Sequence, residues 1–156
     1  EFAGFSLTAI SNFSNYFKAL QANMENYIIA IAVKDTPGLY FTDALYTDMQ
    51  RIGVTVNLTK KHWYGYAAII DGGNLLAEDA AYQKVVTVKA KTKDGVAVVS
   101  TSKPLKVGNA TAISFNGVGG SVCRRGINIM VYDKTKKCVC DSVCFDTHVK
   151  SIDCHR

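Results

Sequence analysis

The stretch C-R-R-G-I-N-I-M-V-Y-D, residues 123–133, decides how this chain folds. A polar K-T-K-K segment follows at 134–137, and the next apolar run closes on C-F-D-T-H at 144–148. Ile127, Ile129 and Val131 alternate with Asn128 and Met130, so the three aliphatic side chains share one face of an extended strand. Two such runs around a short polar turn predict a β-hairpin.

Working outward, a second set of segments lies earlier in the chain. I-A-I-A-V-K-D-T-P-G occupies 29–38, the helix-like F-T-D-A-L-Y-T-D-M-Q-R-I-G occupies 41–53, and K-K-H-W-Y-G-Y-A-A-I-I-D-G-G occupies 60–73. These read as a buried strand ending at an acidic turn, a helix, and a strand led by tryptophan and closed by Gly-Gly. Together with the R-G-I-N hairpin they resemble the two halves of a GG domain. That domain is found in the interleukin-like EMT inducer family, in the stem of protein O-mannose N-acetylglucosaminyltransferase, in cell-surface hyaluronidase relatives and in phage tail-fibre hinges. In the family the hairpin comes first; here it comes second. Circular permutation, excision from a tandem array and exchange of halves between chains all fit that order. None of those GG domains is itself a catalytic centre, so the resemblance implies a binding module.

Ile10, Phe13, Phe17, Leu20 and Met24 recur at helical spacing, which predicts a helix over 8–24 capped near Thr8 or Ser11. The run at 27–34 is apolar at both parities and predicts a central strand. Thr42 and Asp43 are placed to start the second helix, Leu45, Met49 and Ile52 to form its inner stripe, and Gly53 to end it. Strands are expected at 54–58, 64–71, 84–91, 96–101 and 110–115, with turns at Gly72-Gly73, Lys93-Asp94-Gly95 and Asn116-Gly117. Residues 74–83 are expected to be a connection. The predicted class is α+β, with two packed, mostly antiparallel β-sheets flanked by two helices. One domain spans 1–156, as a helix and strand half (1–83) and a β-hairpin, cysteine-rich half (84–156).

Hydrophobic residues make up 48% and charged residues 20% of the 156, which excludes a disordered chain. No apolar run approaches the length of a membrane-spanning helix, so direct membrane insertion is not expected. The net charge of +5 is spread over turns and along alternating strand positions, the pattern of a solvated face and not of a nucleic-acid surface. The sequence contains no nucleophile elbow, phosphate-binding loop, zinc-protease helix or dinucleotide fingerprint, and His62, His148 and His155 are dispersed. A non-enzyme without a cofactor or a metal is expected.

The binding expectation rests on Asp35, Lys60, Lys61, His62, Trp63 and Tyr64, an acidic residue at the end of a central strand and a basic-aromatic cluster. Charged side chains hold sugar hydroxyls by paired hydrogen bonds, and aromatic rings stack on sugar C–H faces. The resemblance implies that Asp35 is the sugar-contacting aspartate and that Lys60 stands at the position of the family's arginine. Lysine lacks the planar fork of arginine. The competing reading packs Trp63 in the core and leaves Lys60 and Lys61 in solvent. Expected partners are a glycan or a partner protein, with a second copy or a tandem neighbour as further partners. The expected setting is extracellular, as a secreted, cell-surface or virion-surface module. No signal peptide is visible, so a secreted form is expected to have lost it already. A structural repeat of a fibre or a cytokine-like ligand is the alternative function.

Cys123, Cys138, Cys140, Cys144 and Cys154 all follow residue 122. Cys138, Cys140 and Cys144 have the same parity and would share a face of one continuous strand. Disulfides across the sheet are expected, with Cys123 as a partner; reduced buried thiols and a metal set are the alternatives, and the odd count leaves one thiol over. Asn57 and Asn109 open glycosylation sequons, and Asn12 opens a third inside the first predicted helix.

Overall fold

Tyr27–Lys34 (β1) is buried along its whole length except at Lys34, so both of its faces must be covered. The computed structural model describes residues 6–120 and 123–156 and places β1 in the middle of a six-stranded antiparallel sheet. Its neighbours are Tyr64–Asp71 (β2) on one side and Gly126–Asp133 (β8) on the other. Asn74–Tyr82 (β3) extends the sheet beyond β2, and Cys138–Asp146 (β9) and Asp153–His155 (β10) extend it beyond β8. A second sheet contains Val86–Lys91 (β4), Ala97–Lys103 (β5), Ala110–Phe115 (β6) and the short Val118–Gly119 (β7) in chain order.

Strand alternation assigns each face its cover. Ile29, Ile31 and Val33 of β1, with Ile127, Ile129 and Val131 of β8, pack under Phe13–Ala22 (α1) and Asp43–Gln50 (α2), where Phe13, Tyr16, Phe17, Leu20 and Met49 are buried, joined by Ile52 just beyond α2. Ile28, Ala30 and Ala32, with Met130 and Ile69, meet Val86, Val88, Val98, Ile113 and Phe115 of the second sheet. The layers are therefore helices, large sheet, small sheet, an α+β arrangement with two packed antiparallel sheets. Two buried hydroxyls stitch the sheets together: Ser100 Oγ donates to the Ile31 carbonyl at 2.8 Å, and Ser102 Oγ donates to the Val33 carbonyl.

The expected strand at 64–71 and that at 110–115 have the bounds of β2 and β6. The Gly72-Gly73 and Asn116-Gly117 turns have left-handed backbone at both positions, as a tight hairpin requires. Three expectations are corrected. The first helix begins at Phe13, and its cap is Asn12, whose side chain accepts from the Asn15 amide at 2.9 Å; Leu7–Ala9 is a separate 3-10 turn. Residues 54–58 form no strand, because the Glu78 carboxylate takes the Thr55 and Val56 amides at 3.0 and 3.1 Å, in place of a ladder partner. Residues 74–82 are a strand and not a connection, since Leu75, Ala77, Glu78 and Ala80 are half-buried against the large sheet's neighbours.

Candidate functional site

The V-K-D-T-P-G, R-R-G-I-N and F-D-T-H segments are distant in sequence, yet the antiparallel order β9-β8-β1 delivers all three to one end of the large sheet. There they are locked together. The Thr147 hydroxyl donates to the Pro37 carbonyl, the Tyr40 amide donates to the Thr147 carbonyl at 3.0 Å, and His148 Nε2 lies 2.8 Å from the Thr36 carbonyl. Gly38 has a φ of 97°, and a Cβ there would fall 2.4 Å from the Thr147 carbonyl oxygen. Only glycine lets the loops approach so closely.

The lead into β8 is fixed from below. Asn128 is fully buried, and its carboxamide donates to the Arg124 carbonyl at 2.7 Å while accepting from the Arg124 amide at 3.3 Å. A buried amide used in this way satisfies itself and specifies one loop conformation. Arg125 Nε pairs with Asp146 at 3.0 Å, and Asp146 also accepts from the His148 amide at 2.9 Å. Lys34 Nζ donates to the Cys123 carbonyl at 3.1 Å.

These segments enclose an open cleft of about 610 Å³, walled by Lys34, Asp35, Cys123, Arg124, Arg125 and Asp146, with Asn109, Val149, Asp153 and His155 completing it. Asp35, Asn109 and Cys123 hold φ of 71°, 45° and 57°, left-handed backbone that aspartate and asparagine adopt readily and cysteine does not. Among the described residues, the Asp35 carboxylate and the exposed Arg124 guanidinium have no hydrogen-bond or ion-pair partner. The cleft thus presents a free carboxylate and a free guanidinium.

The six residues singled out from sequence divide. Asp35 lines the cleft; Lys60, Lys61, His62, Trp63 and Tyr64 do not. Lys60 and His62 are exposed on the loop before β2, where Lys60 faces Asp43. Trp63 and Tyr64 are half-buried and belong to an aromatic platform beside the cleft. Lys106 Nζ stands 5.4 Å from the Trp63 ring centroid, Lys61 Nζ stands 5.0 Å from the Tyr64 centroid, and Tyr82 meets Tyr64 edge-on at 5.7 Å. The loop after β1 joins cleft and platform: Thr36 Oγ1 accepts the Trp63 amide at 2.9 Å, and the Asp35 carbonyl accepts the Leu105 amide at 2.9 Å. Arg124 and Arg125 bring two guanidinium groups to the cleft. Their doublet before Gly126 was the available signal.

A bulge corrects the cysteine geometry. Tyr132 pairs with Val139 but Val131 pairs with Asp141, so Cys140 is the extra residue and parity inverts beyond it. Cys140 and Cys154 pack toward the helices, whereas Cys144 opposes Asn128 on the other face. All five cysteines are free thiols. Burial, then the nearby Asp146, pushes the Cys144 thiol up to about 12; burial, then Asp133, pushes Cys140 up to about 11. The sequon asparagines differ: Asn57 is engaged, its Nδ2 donating to Asp43 at 2.9 Å and its Oδ1 accepting the Thr59 amide at 2.9 Å, whereas Asn109 Oδ1 is buried without a hydrogen-bond partner among the described residues.

No helix among the described residues is long and apolar enough to cross a membrane. No family model, curated protein or solved structure matches the chain.

Proposed function

We infer that this chain is a non-catalytic, GG-domain-like interaction module that binds a glycan in the cleft at the end of the large sheet. The observation that carries this reading is the pair of free charged groups, Asp35 and Arg124, in one cleft. A glycan offers hydroxyls that can donate to a carboxylate and accept from a guanidinium, so it suits both groups. The aromatic residues next to the cleft, Trp63 beneath Lys106 and Tyr64 edge-on to Tyr82, offer ring surface and a cation to a neighbouring sugar. The reading includes an extracellular or virion-surface setting, with glycan chains as the partner. A second reading, a protein-interaction unit, is favoured by the exposed Tyr82, Val85 and Leu105 around that platform, apolar surface suited to a partner chain.

A glycan-array screen tests the first reading, run with Asp35→Asn and Arg124→Ala variants whose melting matches the parent. Selective binding is expected, weakened about 10- to 100-fold in each variant, the scale of one charge-assisted hydrogen bond. A blank from folded protein, or binding indifferent to both substitutions, favours the protein-interaction reading.

A further inference from the structure

We propose that the outer face of the small sheet is a docking surface for a sulfated polysaccharide. Residues 84–120, which hold the whole of that sheet, carry six lysines and a single carboxylate, Asp94. Their charge of +5 equals the net charge of the entire chain, so the remainder of the protein is neutral in sum. Such an asymmetry marks one face for an anionic partner. Lys84, Lys89, Lys91, Lys93, Lys103 and Lys106 are all exposed, and among the described residues none of them is in an ion pair.

Strand alternation places these charges. Val86, Val88, Val98, Ile113 and Phe115 face the large sheet, so Lys89 and Lys91 of β4 and Lys103 of β5 belong to the opposite face. Register sets Lys89 beside Val99 and then Ser114, and Thr87 beside Thr101 and then Ala112. The Thr87 and Thr101 hydroxyls meet at 3.1 Å. The floor between the lysines is therefore flat, hydroxyl-bearing and without a carboxylate, and Asp94 lies outside it in the β4–β5 turn. Charge selects a polyanion, and the rest of the face selects which one. It has no aromatic ring on which a nucleic-acid base could stack, and nothing apolar larger than Val99 to enter a membrane. It also lacks the aromatic and arginine anchors of a protein interface. Ammonium point charges and hydroxyls over a flat floor fit the sulfate esters and hydroxyls of an extended sugar polymer. This surface is separate from the cleft and does not depend on what the cleft binds.

The test is the affinity of the intact protein for heparin, desulfated heparin, duplex DNA and phosphatidylserine vesicles, each measured at rising salt. Heparin is expected to bind most tightly and to weaken as salt rises. A variant combining Lys89→Gln, Lys91→Gln and Lys103→Gln, all at exposed positions, is expected to bind heparin about 10-fold more weakly or worse. A second variant, combining Lys136→Gln, Lys137→Gln and Lys150→Gln, removes the same charge from other exposed positions. It is expected to stay within about 3-fold of the parent, because screening confines the effect to nearby charges. Absence of heparin binding would overturn the proposal, as would equal binding after desulfation or tighter binding to DNA or vesicles. An equal loss in the two variants would overturn it as well, since net charge and not this face would then be responsible.

Discussion

Asp141 is buried on the helix-facing side of β9, and its carboxylate takes three bonds: Tyr16 Oη at 2.7 Å, Arg156 Nε at 3.0 Å and Arg156 Nη2 at 3.2 Å. Arg156 also donates to the Leu7 and Ile10 carbonyls, both at 2.8 Å, tying the segment before α1 to the end of β10. Removing one partner of a buried pair leaves the other charge unsatisfied, so Arg156→Ala is expected to cost about 2–4 kcal/mol in urea unfolding. Arg156→Lys recovers little of it, because an ammonium cannot span both carboxylate oxygens and both carbonyls. The buried thiols give a pH dependence. The ordinary cysteine value is 9.0, whereas Cys140 and Cys144 lose their protons only near about 11 and about 12. Between those limits the unfolded chain holds fewer protons than the native one, so stability falls as pH rises above 9.0. Cys144→Ala is expected to flatten that decline, read as the difference in unfolding free energy between about pH 8 and about pH 10.

At the scale of elements, periodicity located strands whose faces are buried in alternation or throughout, and it missed those whose cover comes from a single side chain. β1 and β2 were legible because the run of Ile, Ala and Val leaves no polar face. Residues 54–58 look like a strand by composition, but Glu78 occupies their amides and also accepts from Tyr66 Oη at 2.7 Å. Glu78→Ala strands the buried Tyr66 hydroxyl and frees the loop; a loss of about 2–3 kcal/mol is expected by thermal or urea unfolding. The β8–β9 turn owes its form to Asp133, whose Oδ1 accepts from the Thr135 hydroxyl at 2.6 Å, the Thr135 amide at 2.9 Å and the Lys136 amide at 3.2 Å. The Thr135 hydroxyl bond, with those amides, holds the Asp133 carboxyl below its ordinary value. A depressed native value contributes stability above the ordinary carboxylate pH, lost as pH falls through the native value. Asp133→Asn is therefore expected to remove part of the acid sensitivity of hydrogen exchange in this hairpin. The bulge at Cys140 was hidden from sequence, because one extra residue changes parity without changing composition.

For the whole molecule, the sandwich class was readable from strand spacing and turn residues, while the cleft was only partly so. Asp35 was visible as the acidic end of a buried strand. Arg124, Asn109 and Asp153 became site residues only through the order β10-β9-β8-β1 and the Asp35–Pro104 bridge, which gather loops from opposite ends of the chain. Long-range register of that kind is not written in local pattern. The central claim is that these loops form one binding site. The measurement that tests it most directly is a map of amide chemical-shift changes across the folded protein, titrated with a panel of oligosaccharides. The account predicts shifts concentrated at Lys34, Asp35, Asn109 and Cys123–Arg125, and abolished by Asp35→Asn. Saturable shifts confined to another surface, or none with any member of the panel, would contradict it.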